Sequence, residues 1–229
     1  MVIGNGLVAG SFGAYAHQDQ FLVFASGVSN SKSGAAADYE REKALLLEQL
    51  KAYPDKVLVY FSTTSVDDPD LAHTDYVQHK LRMEALIAKE AASYQVFRLS
   101  NLAGRSANPN TILNYFYRHI SEGLTFVLWQ QSERNIIDVA DVYRVADHLL
   151  QQGLFRNQVV NIANTSSYPV GYIVERIEAA CGRKGVYTAV DKGARVHIDT
   201  SRLQRVYQEL GIQFGPGYLD RILEKYYVS

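Results

Sequence analysis

The sequence predicts an α/β fold: a doubly wound, mostly parallel sheet with helices on both faces and a small C-terminal lobe. Short apolar runs alternate with longer helical segments along the chain, and a glycine-rich turn follows the first run. The runs are continuous rather than alternating, which is typical of strands buried on both faces. Strands that alternate with helices are expected to pair in parallel, because each helix returns the chain to the same end of the sheet.

Apolar or β-branched runs mark the predicted strands. The run at residues 21–25 shows the pattern best, since every side chain in it is apolar and the turn Ser26-Gly27 ends it. The predicted strands are residues 2–3, 21–25, 57–61, 95–99, 125–128, 135–139, 159–162 and 195–198.

Helical segments fill the spaces between these runs. Asp38 is suited to cap the start of one of them, and Pro54 ends it, because proline does not continue a helix. The predicted helices are residues 6–16, 38–53, 74–92, 111–123, 142–152, 170–181, 201–210 and 217–226.

Composition limits the function classes. The chain has 229 residues, 47% of them hydrophobic, and a net charge of −1, so we expect one globular domain or one with a small appendage, and neither a nucleic-acid nor a membrane-surface partner. A single cysteine, Cys181, leaves no disulfide framework and no cysteine-based metal site, and no metal site is predicted. No leader-like segment and no long apolar stretch is present, so a cytoplasmic location is expected.

The first candidate site is the glycine-rich turn. Gly4, Gly6 and Ala9 form a G-x-G-x-x-A pattern between a predicted strand and a predicted helix. Such glycines let backbone N–H groups approach a pyrophosphate, and the start of the helix adds its positive end. A plain strand-to-helix turn is the alternative interpretation.

The second candidate site combines a tyrosine, a lysine and a cluster of hydroxyl groups. Tyr76 and Lys80 lie four residues apart and share one helix face, where an ammonium group can lower the pKa of a phenol. Such a phenol can exchange a proton with a hydroxyl group or a ketone. Thr63 and Thr64 follow a predicted strand, at the edge where ligands bind in such sheets. The alternative for Tyr76 and Lys80 is an ordinary pair on a helix surface, and the alternative for Thr63 and Thr64 is a cluster of turn residues.

These motifs occur in an order that resembles one family. Residues 57–63 (VLVYFST) look like its strand ending in a catalytic Ser or Thr, and residues 76–80 match its Y-x-x-x-K. Residues 98–104 resemble its R-x-x-N-x-x-G loop, residues 134–142 its R-D-F-I-H-V-x-D-V segment, and residues 160–163 its V-Y-N-I-G. The chain is thereby identified as a shortened member of the extended short-chain dehydrogenase/reductases, in the nucleotide-sugar epimerase/dehydratase branch.

The resemblance implies a shortened Rossmann-type fold that binds NAD or NADP. Residues 1–158 would form the cofactor domain and residues 159–229 the substrate lobe, the two interleaved in one compact unit. Tyr76 would donate or accept the proton, Lys80 would hold the nicotinamide ribose and tune Tyr76, and Thr63 would be the hydroxyl partner. The residues implied for cofactor binding are Gly4, Gly6, Ala9, Ser26, Gly27, Tyr76 and Lys80.

For the substrate, the resemblance implies that Asn101 contacts a nucleotide sugar and that Arg134 meets its diphosphate, with Thr64 beside Thr63 as the reserve hydroxyl. A surface ion pair is the alternative for Arg134. A guanidinium suits the diphosphate because it pairs with two phosphate oxygens at once. The resemblance also implies a homodimer formed through residues 38–53 and 74–92. It further implies a place in polysaccharide biosynthesis.

The chain departs from the family pattern in several places. Only about a dozen residues separate the glycine-rich turn from the run at residues 21–25, so the strand–helix units that usually intervene are missing. The residue that distinguishes NAD from NADP in the family is missing with them. Ser29, Ser31 and Lys32 could bind a 2′-phosphate, although a polar loop is the favoured interpretation. Tyr76 follows Thr63 by 13 residues, roughly half the usual spacing, and His73 in that loop is a further acid/base candidate or a solvated histidine.

One departure bears on the reaction. The family's dehydratases follow the catalytic Thr with Asp-Glu, whereas here Thr64 and Ser65 follow Thr63. Elimination is therefore disfavoured, and the sequence predicts an NAD(P)-dependent 4-ketoreductase or 4-epimerase of a nucleotide sugar. The alternatives are a non-catalytic descendant that serves as a binding or regulatory domain, and a reductase of another small carbonyl compound.

Overall fold

The computed structural model describes residues 1–28, 36–215 and 217–228. Its strands are β1 (Val2–Ile3), β2 (Phe21–Phe24), β3 (Val57–Thr63), β4 (Tyr94–Leu99), β5 (Asn101–Ala103), β6 (Thr125–Trp129), β7 (Glu133–Arg134), β8 (Ile136–Asp138), β9 (Gln158–Ile162), β10 (Tyr168–Pro169) and β11 (Val186–Val190). Its α-helices are α1 (Leu7–Ser11), α2 (Ala36–Ala52), α3 (Asp75–Glu90), α4 (Ile112–Glu122), α5 (Val139–Gln151), α6 (Val170–Cys181), α7 (Gln204–Glu209) and α8 (Tyr218–Tyr226).

A five-stranded parallel sheet in the order β1-β2-β3-β4-β9 forms the centre. Side chains alternate between its faces, so that Val23 packs with Phe12 of the first connection and Val145 of α5, while Leu22 packs with Leu46 of α2 and Met83 of α3. The helices therefore cover both faces, and the predicted α/β fold with a mostly parallel sheet is confirmed.

Strand β1 lies at one edge of this sheet, and β2 lies between β1 and β3. The connection from β1 to β2 packs on the face of Phe12 and Tyr15, whereas α2, which connects β2 to β3, packs on the other face through Leu46. Parallel strands that step in one direction with connections on opposite faces must have crossovers of opposite hand. Nearly all such crossovers are right-handed, so one of these two connections departs from the usual hand.

A second core lies beside the sheet and forms the lobe. It draws on two parts of the chain: Leu113, Phe116 and Phe126 come from the middle, and Ile173 and Ile222 come from the C-terminal third. Strands β6 and β11 pair in parallel beside it, and β7 pairs with β10. Strand β9 begins at the predicted boundary between residues 1–158 and 159–229. It is the fifth strand of the central sheet, so the sheet includes residues from both predicted segments.

The strand predicted at residues 195–198 is wrong, because residues 192–200 have no regular structure. Instead β11 forms a few residues earlier, where all five residues pair with β6. The segment at residues 195–198 has no neighbouring strand to pair with among the described residues, and an apolar pattern without a partner does not form a ladder. In the part of the chain that is described, no helix is long and apolar enough to cross a membrane.

The turn after β1 depends on Gly4. Its φ of +124° lies in the region that favours glycine, and a Cβ there would be 2.4 Å from the carbonyl oxygen of Ala25. Replacing Gly4 by alanine is expected to lower the free energy of unfolding by about 2 kcal/mol, measured by urea denaturation.

Gly6 provides the matched control. Its φ is −80°, and a Cβ there would have no atom within 4 Å. Gly6→Ala is expected to change the free energy of unfolding by less than about 0.5 kcal/mol. If Gly4→Ala and Gly6→Ala lowered the free energy of unfolding equally, the close approach of the Gly4 turn to the end of β2 would be contradicted.

Candidate active site

The carboxyl ends of the parallel strands β1 to β4 meet at one edge of the sheet. The Gly4 turn follows β1, Ser26-Gly27 follows β2, Thr63 ends β3, and Ser100 follows β4. In open α/β sheets ligands bind at this edge. The structure thus places the predicted cofactor and catalytic residues at the same edge of the sheet.

The glycine-rich turn leaves open space above its backbone. Gly6 precedes α1 in an extended conformation, and both Asn5 and Gly6 are exposed. Ala9, within α1, is buried. A Cβ at Gly6 would therefore project into the open space above the turn, which is free for a ligand.

Tyr76 and Thr63 come together at the end of β3. Thr74 caps α3 by accepting a hydrogen bond from the Val77 N–H, which places Tyr76 in the first turn of the helix. Thr63 lies near enough to the Tyr76 phenol to affect its pKa. Burial raises the pKa of Tyr76 to about 12, although Thr63 opposes the rise. At neutral pH Tyr76 is therefore an undissociated phenol.

The hydroxyl groups of the cluster bond to one another or to the backbone. The Thr63 Oγ1 lies 3.0 Å from the Ser65 Oγ and accepts from the Ser65 N–H at 3.1 Å. Thr64 is buried and donates to the Leu99 carbonyl at 3.4 Å. His73 is exposed in the preceding loop. Of these hydroxyl groups, Thr63 is the one that affects the pKa of Tyr76.

Lys80 is buried, at 2% exposure, and its ammonium group is occupied. It donates to Glu42 Oε1 at 3.1 Å and to the Tyr60 hydroxyl at 3.0 Å. A Cβ on Gly27 would be 2.6 Å from the Lys80 Nζ, so the turn after β2 lies directly over the lysine. Lys80 pairs with a carboxylate, and the pKa of Tyr76 is raised by burial. The tuning of Tyr76 by Lys80 stays a prediction.

Glu42 is fully buried and was not identified from the sequence. Its carboxylate accepts from the Val28 N–H at 2.7 Å, from the Tyr60 hydroxyl at 2.5 Å and from Lys80, and it lies 3.0 Å from His79 Nε2. Burial alone would raise the pKa of Glu42, but these hydrogen bonds and the Lys80 charge bring it down to about 2. The available signal was its position on the buried stripe of α2, four residues before Leu46.

A second buried carboxylate fixes the other end of the site. Glu84 receives both Arg98 Nε at 2.9 Å and Arg98 Nη2 at 2.6 Å, and the Ser62 hydroxyl donates to it at 2.5 Å. This network joins α3 to β3 and β4. Arg98 also lines a cavity of about 170 Å³ with Asn161 and Arg202 beside β9, and neither Tyr76 nor Lys80 lines that cavity.

Of the predicted substrate residues, Asn101 begins β5 and Arg134 ends β7, whereas Thr64 directly follows β3. Asn101 is exposed, and its side chain donates to the Asn135 carbonyl at 2.9 Å. Arg134 donates to the Glu133 carbonyl at 2.7 Å. Burial lowers the pKa of Arg134, while Asp68 and Asp70, in the loop between Thr63 and Tyr76, oppose this effect. Arg134 is therefore under the influence of acidic side chains from that loop.

The residues fit an NAD(P) molecule at its pyrophosphate and its reactive end. The cradle at Gly6 is open, Tyr76 and Thr63 lie at the adjoining strand end, and the buried hydroxyl of Ser100 has no hydrogen-bond partner among the described residues. At the adenosine end of the cofactor, β1 is the edge strand of the sheet, so among the described residues no further strand lies beside it to support the adenosine. Ser29, Ser31 and Lys32 lie outside the described residues.

Comparisons with known proteins give the family and the fold. The chain matches the model of the NAD dependent epimerase/dehydratase family over residues 22–163. UDP-glucose 4-epimerase of Thermus thermophilus, complexed with NAD, superposes with a TM-score of 0.70 at 14% identity, over 94% of this chain and 79% of that one. No curated protein matches the sequence.

Two further solved structures show the same fold. RMD from Pseudomonas aeruginosa, complexed with NADPH, has a TM-score of 0.71 at 18% identity, over 90% of this chain and 80% of that one. The dTDP-glucose 4,6-dehydratase of Bacillus anthracis str. Ames, with NAD, has a TM-score of 0.66 at 20% identity, over 82% of this chain and 66% of that one. The predicted family is thus confirmed: at 229 residues, the chain is a short member of the NAD dependent epimerase/dehydratase family.

Proposed function

We propose that this protein is an NAD(P)-dependent oxidoreductase or epimerase that acts at C4 of a nucleotide sugar. The observation that carries the proposal is that Thr63, at the end of β3, and the open turn at Gly6 lie at the same sheet edge, with Tyr76 in the first turn of α3 near enough to Thr63 for its pKa to respond. A phenol and a hydroxyl at a ligand-binding strand edge can move a proton to or from a sugar oxygen. Family membership supports the cofactor.

Each residue has a part in this chemistry. The backbone around Gly4 and Gly6 binds the pyrophosphate, and Ser26 and Gly27 shape the wall beside the nicotinamide. Tyr76 gives a proton to the sugar oxygen or takes one from it, and Thr63 orients the phenol. The nicotinamide ring supplies or accepts the hydride.

On the substrate side, Asn101 would contact the nucleotide sugar and Arg134 its diphosphate. A diphosphate would compete with Asp68 and Asp70 for the Arg134 guanidinium. Thr64 and Ser65 offer no carboxylate for an elimination. Ketone reduction and epimerisation therefore fit this site better than dehydration does. Assembly as a homodimer stays a prediction.

Two observations favour a second candidate, a non-catalytic binding domain on the same fold. Lys80 would hold the nicotinamide ribose, yet it is 2% exposed and already bonded to Glu42 and Tyr60. The position of β1 at the sheet edge also removes the usual support for adenosine. A domain of this kind would retain the fold without the cofactor.

Calorimetric titration with NAD, NADH, NADP and NADPH tests the proposal. We expect one of the four to bind with micromolar affinity, on the order of −8 kcal/mol. Gly6→Asp is expected to abolish binding because the carboxylate repels the pyrophosphate, while aspartate still suits the position before α1. Gly13→Asp is the matched control, since Gly13 is also exposed with open space at its Cβ. If the folded protein binds none of the four, the non-catalytic alternative holds.

A further inference from the structure

The lobe carries one strand that is exposed along almost its whole length. Every residue of β11 except Val190 is exposed, with Val186 at 53% and Tyr187 at 44%. Its partner β6 is different, because Phe126 and Leu128 are buried in the core of the lobe. The fold therefore anchors this pair through β6 and leaves β11 at the surface.

The outer edge of β11 has free backbone groups. The Gln130 N–H donates to the Val190 carbonyl at 3.0 Å, which identifies the residues of β11 that bond to β6. Because such residues alternate along a strand, the N–H and C=O groups of Tyr187 and Ala189 point to the other side. No further strand lies on that side among the described residues. An edge of this kind can accept another strand.

The sequence of β11 does not protect this edge. In natural sheets a proline or a charged side chain usually prevents a further strand from pairing with an exposed edge. Residues 186–190 (VYTAV) contain neither, and four of the five are β-branched or aromatic. The composition of β11 therefore favours pairing with another strand.

The charges beside β11 fit a second copy of the same chain. A two-fold axis brings the strand against itself in the antiparallel direction. When Tyr187 lies opposite its counterpart, Arg183, four residues before it, faces Asp191, four residues after it, at both ends of the contact. Moving the centre by one residue towards the C-terminus would instead place Lys184 opposite Lys192, and like charges on opposing strands are unfavourable.

The charged groups of this contact are accessible. Arg183 and Asp191 are both exposed. Their recorded partners are neutral and at the surface: Arg183 donates to the Ser121 carbonyl at 2.8 Å, and Asp191 accepts from Gln131 Nε2 at 3.0 Å. An ion pair between two copies would therefore replace only exposed hydrogen bonds.

Tyr187 gives the contact an aromatic centre. Its ring packs against Phe126, with ring centroids 5.3 Å apart, and much of the ring remains exposed. In the symmetric arrangement the two Tyr187 rings lie opposite each other and cover that exposed part. Aromatic pairs on opposing strands stabilise a sheet.

We propose that two copies of this chain pair through β11 about a two-fold axis, antiparallel and with Tyr187 opposite its counterpart. The pairing joins the β6–β11 sheets of the two copies into one sheet of four strands. This surface belongs to the lobe and is separate from the helices at residues 38–53 and 74–92, through which the resemblance implies a dimer. A short strand pair buries little surface, so we expect the association to be weak and to depend on concentration.

Sedimentation velocity of the full chain, over about 1–200 µM, tests the pairing. At the highest concentration the mass of the wild type is expected to be twice that of Ala189→Pro. Proline removes an N–H group at the free edge and blocks a second strand, whereas an edge position tolerates it within one chain. Circular dichroism shows whether the variant folds. Equal masses for the wild type and the folded variant would overturn the proposal.

The exposed charges give a second test that leaves the backbone unchanged. Arg183→Glu sets like charges opposite each other at both ends, so the dissociation constant of the pair is expected to rise by about 10-fold. Arg183→Glu/Asp191→Arg exchanges the charges and should restore wild-type association. Arg205→Glu is the matched control, because Arg205 is 88% exposed on α7 and the net charge changes equally. An unchanged dissociation constant in Arg183→Glu, or no recovery in the double variant, would contradict the proposed pairing.

Discussion

Replacing Tyr76 by phenylalanine is expected to lower turnover of a nucleotide sugar by about 10²- to 10⁴-fold and to leave cofactor affinity nearly unchanged. The substitution removes one hydroxyl group and keeps the ring that fills the start of α3. The lost oxygen is the one whose pKa responds to Thr63, where we place the transferred proton. Turnover is measured with UDP-glucose and UDP-N-acetylglucosamine, the sugar nucleotides named for several structural neighbours. Net oxidation is followed by nicotinamide absorbance and epimerisation by separating the two sugar epimers, and cofactor affinity is measured by calorimetry.

Tyr187→Phe is the matched control, because that phenol is exposed on β11, in the lobe. It is expected to retain full turnover. Thr63→Val should lower turnover by about 10-fold, since it removes the partner of Tyr76 and not the proton donor itself. If Tyr76→Phe kept wild-type turnover, another group would have to move the proton, and the site would need to be reassigned.

The parts of the fold that the sequence predicted are those with a local signal. Strands β2 and β3 are buried on both faces, so their apolar runs are unbroken, and the helices begin and end at recognisable residues such as Thr74 and Gly123. Strand β11 was missed because its residues are largely exposed, and only the long-range pairing with β6 makes them a strand. A run without such a partner, at residues 195–198, was mistaken for a strand.

The same distinction applies to the site. The spacing of Tyr76 and Lys80 is visible in the sequence, as is the hydroxyl of Thr63 at a strand end. What Lys80 contacts is not visible, because its partners Glu42 and Tyr60 are separated from it by 38 and 20 residues. A glutamate within a polar helix is normally solvated. The spacing of Glu42 from Leu46 is a weak signal of burial, and the packing of α2 against α3 is what buries this glutamate.

Replacing Lys80 by methionine is expected to lower the free energy of unfolding by about 3 kcal/mol at neutral pH, measured by urea denaturation. Methionine fills a similar volume, so the loss comes from the Glu42 carboxylate, which would remain buried without its cation. Lys89→Met is the matched control, because the Lys89 side chain is 79% exposed on the same helix. It should change stability by less than about 0.5 kcal/mol.

Removing both charges should cost less than removing one. Glu42→Gln/Lys80→Met leaves no unpaired buried ion, so we expect it to be more stable than Lys80→Met. If the double variant were the less stable of the two, the pair would not be compensating each other, and the Tyr60 and Val28 contacts would have to hold the carboxylate alone.

The acid side of the stability profile tests the same pair independently. The pKa of Glu42 is about 2 in the folded protein, against an ordinary value of 4.5, so its contribution is present above pH 4.5 and is lost as the pH falls toward 2. A difference of this size corresponds to about 3 kcal/mol. Glu42→Gln has no such group to protonate, and its free energy of unfolding should therefore fall less steeply between these two pH values. If the free energy of unfolding fell equally steeply in the wild type and in Glu42→Gln, Glu42 would not be the ionised partner of Lys80.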